Sequence, residues 1–188
     1  MSVTTANLIL GPATLYQGAF GATEPADTNV AINATPAASA WTDMGGTQDG
    51  VTLSINQTYT ALECDQIVDR AGSRLTKREL TIETGLAEAT LENLSVTLNG
   101  STTASGAGYK TLEPLFASSA TQPNYTALLF DGWGANSFKR RAILRKTLST
   151  DAVAMAYTKD KQTLYKVKFS GHYVSSTIAP VHFIEATA

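Results

Sequence analysis

The chain has 188 residues with a formal net charge of −2 and 43% hydrophobic residues. A chain of this length buries roughly 70% of its extended surface and supports one core without staples, while a mean hydropathy of −0.05 fits neither a disordered chain nor one crossing a membrane by helices. One cysteine, Cys64, rules out an intrachain disulfide and a cysteine zinc cluster, and two histidines, His172 and His182, leave little material for a metal site or a histidine-dependent triad.

In chain order, Met1–Leu10 carries no basic stretch and only a three-residue apolar run, which predicts no secretory signal. Val3–Gln17 reads as strand punctuated by Gly11-Pro12, with Pro12 restricting it to an edge or a bulge. Residues 18–40 are rich in Gly, Ala, Thr, Asn and Pro, and hold only Phe20, Val30 and Ile32 to bury. They read as an exposed loop within the same domain. The Asn-x-Thr triplets at Asn33 and Asn56 are ordinary in so threonine-rich a chain.

Strand signals follow in quick succession. Trp41–Met44 ends at Gly45-Gly46, and Asp49-Gly50 is a turn dipeptide. Val51, Leu53 and Ile55 alternate with polar neighbours, and Tyr59–Gln66 reads as a further strand. Ile67–Ser73 reads as a charged loop, and Arg74–Thr84 returns as a strand. The region 59–84 is thus a long hairpin with a polar tip. Ala87, Leu91, Leu94 and Leu98 recur at helical spacing and predict a helix over 86–98, stopped by Asn99-Gly100. Residues 101–108 read as a flexible connection, and Leu112, Leu115 and Phe116 as anchors of a short turn. The C-terminal third is again β: Tyr125–Phe130, Phe138–Thr147, Ala152–Tyr157, Leu164–Val174 and Val181–Ile184. No repeat of period 20 to 50 is present.

Little of this is catalytic chemistry. The histidines have no carboxylate at metal-ligand spacing, and Cys64 lies in an alternating strand without an activating base. The pairs Glu79/Glu83 and Glu88/Glu92 suit solvated faces. The glycines from Gly100 to Gly108 follow a helix rather than preceding one, so they form no phosphate loop. No enzyme, cofactor or metal is expected. Charge, however, is divided. Residues 1–69 hold seven acids and no Lys or Arg, a charge of −7; residues 70–188 hold nine acids and all 14 bases, a charge of +5. Two unlike patches on one subunit are what head-to-tail association requires, and exposed sheet edges need a neighbour to cover them.

Four stretches carry a resemblance. They are Ile9-Leu-Gly-Pro-Ala-Thr-Leu-Tyr16, Trp41-Thr-Asp-Met-Gly-Gly-Thr-Gln-Asp-Gly-Val-Thr-Leu53, Leu62-Glu-Cys-Asp-Gln-Ile-Val-Asp-Arg-Ala-Gly-Ser-Arg-Leu-Thr-Lys-Arg78 and Thr81-Ile-Glu-Thr-Gly-Leu-Ala-Glu-Ala-Thr-Leu-Glu-Asn-Leu94. With the β-rich C-terminal third, the chain resembles the major tail tube proteins of bacteriophages with long, non-contractile tails. The likeness is densest from Trp41 to Asn99; Cys64 stands where a small aliphatic residue is expected.

The resemblance implies one domain over 1–188, a β-sandwich or barrel with one flanking helix. Six subunits would close a ring, and rings would stack into a tube in the virion tail, assembled in the host cytoplasm without a membrane. Its implied partners are other copies of itself, the tape measure protein, the tail terminator and the distal tail or baseplate proteins. DNA would pass through the lumen without sequence-specific binding. The functional residues would then be contact residues. On the hairpin these are Asp65, Asp69, Arg70, Arg74, Lys77 and Arg78; further candidates on the basic strand are Lys139, Arg140, Arg141 and Arg145. Rival readings are a tail terminator or capsid decoration protein, or a carbohydrate-binding module using Trp41 and Trp133, both beside glycine turns.

Overall fold

A computed structural model describes residues 3–28, 34–115 and 123–187. Val30, Ile32, Asn33 and Phe116 lie outside them. The strands are β1 (Thr14–Ala19), β2 (Trp41–Asp43), β3 (Thr47–Cys64), β4 (Ile67–Leu86), β5 (Ser101–Gly106), β6 (Tyr109–Pro114), β7 (Thr126–Trp133), β8 (Lys139–Ser149), β9 (Tyr165–Gly171) and β10 (Val181–Glu185), with one α-helix, α1 (Leu91–Thr97). The large sheet runs β2-β1-β7-β8-β9-β4-β3, with β10 also on β8, and β5-β6 form a separate hairpin. All these pairings are antiparallel.

Strand β8 is the pivot. Arg140–Leu144 pair with β10, whereas Thr147–Ser149 pair with β9. One edge of a single strand therefore serves two partners, and the sheet divides there. The inner faces of the two parts meet as one cluster, with Leu15, Leu128 and Leu144 on one side and Ile82, Leu86, Val167 and Phe169 on the other. Leu94 of α1 and Met44 complete it. Each such fully buried side chain contributes about 1.5–3 kcal/mol, so this cluster dominates stability. The outer face of β1-β7-β8 carries Tyr16, Leu129 and Ile143, joined by Trp41 and Ile184. Ala22 and Ala40 of the 20–40 loop pack on that cluster, and the Trp41 indole N–H donates to the Thr23 carbonyl at 2.9 Å. The mainly β architecture with one helix agrees with expectation.

Several boundaries differ from the sequence reading. The helix covers Leu91–Thr97 rather than 86–98. Leu86 is the last, fully buried residue of β4, and Ala87 N–H is bonded to the Gly46 carbonyl. The helix begins only after Thr90, whose hydroxyl accepts from Asn93 N–H at 3.1 Å, a side-chain cap that satisfies one of the first-turn donors. Its stop is as expected: Asn99 and Gly100 both have positive φ, and Gly100 N–H returns to the Ser95 carbonyl.

Residues 101–108 are no loose connection but most of a two-stranded hairpin turned at Gly108 (φ 85°). Its strands are mostly exposed, so neither shows the apolar alternation that marks a half-buried strand. Val3–Gln17 is strand only from Thr14; its earlier part holds a short 3-10 turn at Thr5–Asn7. Ala152–Tyr157 alternates like a strand but pairs with none among the described residues. Asp49-Gly50 has the positive φ values of a turn dipeptide, yet it makes an irregularity inside β3 rather than a chain reversal.

Candidate functional site: a projecting hairpin

Strands β3 and β4 continue far beyond the sheet. β9 covers β4 only from Leu80 to Leu86, whereas the β3–β4 ladder runs on to Cys64 opposite Ile67. Residues 67–79 therefore have no third strand on either side among the described residues. At ~3.3 Å per residue these 13 residues of β4 extend roughly 40 Å. The chain reverses only at Asp65-Gln66. The charged loop expected over Ile67–Ser73 is strand, and of the strand expected over Tyr59–Gln66, Tyr59–Cys64 continues β3 while Asp65-Gln66 form the turn. The ladder supplies a backbone partner that charge and glycine content did not advertise.

The projecting part keeps two unlike faces. Cross-strand partners share a face, so Ile55, Tyr59 and Leu75, interrupted by the Gln57–Arg78 pair, lie on the face of Leu53 and Ile82 outward from the core. They remain 38–56% exposed there. The other face carries Asn56 with Glu79, Thr58 with Lys77 and Thr60 with Arg74. Between Lys77 and Leu75 the register shifts by one, and the Thr76 hydroxyl donates to the Thr58 carbonyl at 3.1 Å, pinning a bulge that bends the ribbon. At the tip Leu62, Ile67 and Val68 are exposed, Val68 fully.

All six expected hairpin residues, Asp65, Asp69, Arg70, Arg74, Lys77 and Arg78, are exposed on this ribbon. Lys77 is bonded to Glu79 at 2.7 Å; the other five have no ion-pair partner among the described residues. Charge is also sorted along the ribbon, with Glu63, Asp65 and Asp69 at the end and Arg70, Arg74, Lys77 and Arg78 on the shaft. An exposed ribbon with free edges, an uncovered apolar row and unpartnered charge of both signs is equipped to bind another protein chain.

The basic strand behaves differently. Arg140 is paired with Glu185, Lys139 lies over the Trp133 ring at 3.7 Å, and Arg145 is paired with Glu24 at 2.5 Å. Arg141 is fully buried and bonded to Asp131, which withdraws it from the candidate contact residues. Arg141 lies on the outer face of β8 with Ile143, where the 20–40 loop covers it and the Ala34 carbonyl accepts its hydrogen bond, so burial on this strand reaches a cation too. The Glu24 partnership was invisible in sequence, since 121 residues separate it from Arg145; its only trace was a pair of acids, Glu24 and Asp27, in a stretch without a base. It clips the 20–40 loop to β8, and His182 Nδ1 lies 3.4 Å from the same carboxylate.

The hydrogen bond from Arg145 holds the Glu24 carboxyl below its ordinary value of 4.5, against burial, which pushes it up; His182 adds to the lowering. A lowered folded-state value means the clip stabilises the fold above the unfolded value and is lost as pH falls through the folded one. Glu24→Gln is therefore expected to cost about 1–2 kcal/mol at pH 7. That difference should begin to shrink as pH falls below about 4.5 and go on shrinking as pH passes through the lower folded-state value, read by thermal melts from pH 7 to 3. A difference unchanged at pH 3 would assign the clip no electrostatic role.

The remaining candidates show no chemistry. His172 Nδ1 is 2.9 Å from the Ser170 carbonyl, and its ring packs edge-on to Tyr125. Among the described residues no group of three His, Cys, Asp or Glu could hold a metal ion. Cys64 is exposed beside the hairpin turn. Trp41 is 3% exposed and Trp133 is half-buried under Lys139, so neither offers the open platform that sugar stacking needs. Comparison of the chain with protein-family models and with curated proteins finds no match.

Proposed function

We propose that this chain is a structural subunit of a bacteriophage tail tube, forming hexameric rings that stack into the conduit for DNA. The observation that carries the reading is the β3–β4 hairpin, which leaves the sandwich with both edges and six charged groups (Glu63, Asp65, Asp69, Arg70, Arg74 and Arg78) without an ion-pair partner among the described residues. A ribbon of this length is costly to leave solvated, and a neighbour in or between rings covers it. The motifs that carry the resemblance, densest over the same residues, give the kind of assembly. In this role nothing is catalysed and no cofactor is used; the tape measure protein, the terminator and the distal tail proteins are the further partners, and DNA passes through the lumen.

Negative-stain microscopy of the purified chain tests it. Tubes of uniform diameter are expected. Closed particles of fixed size, neither extending nor stacking at high concentration, would assign the chain to a terminator or decoration role instead.

A further inference from the structure

We infer that the groove between the segment 151–164 and the start of β3 is the receptor for the hairpin tip of a second copy of this chain. The inference rests on the assembly reading above and names the surface that receives the ribbon.

The groove has a volume of about 580 Å³ and is lined by Gln48 and Asp49 of β3, Ala152, Ala154, Leu164 and Lys166. That volume lies within the roughly 300–1,000 Å³ of pockets that bury a drug-sized ligand, ample for two aliphatic side chains. One wall is the segment whose sequence alternates like a strand. Val153 turns inward onto the main cluster, while Met155 and Tyr157 stay exposed. No backbone-to-backbone hydrogen bond is made by residues 151–164 among the described residues. The wall is thus chain of strand-like sequence whose main-chain groups have no strand partner among the described residues.

Position supplies the occupant. Thr47 and Tyr165 both pair with Leu86, so the groove lies at the Leu86 end of β4. The tip lies at its Ile67 end, at the other end of a strand of 20 residues, roughly 63 Å away for extended chain. Plug and receptor at opposite ends of one ribbon cannot meet within a protomer. Between protomers they meet head to tail, the heterologous contact that propagates instead of closing a dimer.

Chemistry agrees. The tip offers Leu62, Ile67 and Val68 exposed, with Asp65 and Asp69 beside them. The groove rim offers Lys161 and Lys166, neither paired with a carboxylate among the described residues. Asp49 and Asp160 at the same rim face the Arg70 that follows the tip. Ile67 and Val68 enter the groove, the acids meet the lysines, and the free ribbon edge runs along Ala152–Tyr157.

The native Cys64 at the tip makes the contact testable in the full chain. Ala154→Cys places a second thiol in the groove, with Ala156→Cys as an alternative position. Under air with a copper–phenanthroline catalyst, a disulfide forms only where Cβ atoms approach to about 3.5–4.5 Å. A seated tip therefore gives a covalent ladder beyond the dimer on a non-reducing gel. Adding Cys64→Ser should abolish every band above the dimer. Tubes without a ladder from either variant would overturn the receptor and leave the tube reading standing. A ladder without tubes would uphold the contact and overturn the tube; neither tubes nor ladder would remove both.

Discussion

Replacing Arg141 with alanine is expected to destabilise the fold by about 3–5 kcal/mol and lower the melting temperature by about 6–20 °C. Arg141 sits opposite Asp131 in β7 and opposite Ile184 in β10, so it is surrounded by sheet on both edges. Its guanidinium grips Asp131 with two bonds, Nε to Oδ1 at 2.6 Å and Nη2 to Oδ2 at 2.7 Å. A further bond of 2.8 Å reaches the Ala34 carbonyl. The side chain is 0% exposed and Asp131 13%. Truncation leaves a carboxylate largely withdrawn from water with no cation to balance it, which is where the cost arises; the pair itself is worth far less than the penalty for breaking it. Arg141→Met combined with Asp131→Leu should therefore recover most of the loss. Thermal unfolding of the single and double variants measures both effects. An Arg141→Ala transition within 2 °C of wild type, roughly 1 kcal/mol or less, would show that Asp131 finds compensation elsewhere.

The second large effect falls on assembly. Reversing charge at Arg70 and Arg74 together is expected to abolish tube formation while leaving the melting temperature of the protomer unchanged. Both residues are exposed on the projecting ribbon and neither has an ion-pair partner among the described residues. Surface substitutions of that kind stay within about 0.5 kcal/mol. One exposed pair contributes only ~0–1 kcal/mol, so a single reversal is tolerated, but every subunit of every ring repeats the loss. Tube growth by the wild-type chain should likewise weaken as salt screens the same pairs. Counting tubes formed by the folded double variant decides the matter: normal assembly would take Arg70 and Arg74 out of the essential contacts. The same reversal at Arg145 would be uninformative, since it breaks the clip to Glu24 inside the protomer.

Strand existence was mostly legible in the sequence, because burial on one face imprints a period of two on the side chains. Leu80 and Ile82 opposite Glu79 and Glu83 announced the inner half of β4, and Val167 and Phe169 against Lys166 and Lys168 announced β9. The helix stop at Asn99-Gly100 was legible for a backbone reason, positive φ. Where no face is buried the imprint is missing. Ile67–Ser73 is strand held by ladder bonds with both faces in solvent, and β5-β6 turns only Leu112 toward the core, so composition alone marks such chain as loop. The reverse error at Ala152–Tyr157 has the complementary cause: its alternation records burial of Val153, but pairing needs a second strand at the right edge. That a hairpin turns within 59–84 and bears exposed cations was therefore legible; that its strands run from Thr47 to Leu86 was not. Which cations face outward was decided only when β8 acquired β7 and β10 as neighbours, burying Arg141 against Asp131 and drawing Arg145 to Glu24. Side-chain alternation is a local quantity, written within a few residues, whereas ion pairing depends on which distant strands become adjacent. That adjacency is a property of the topology and has no local signature.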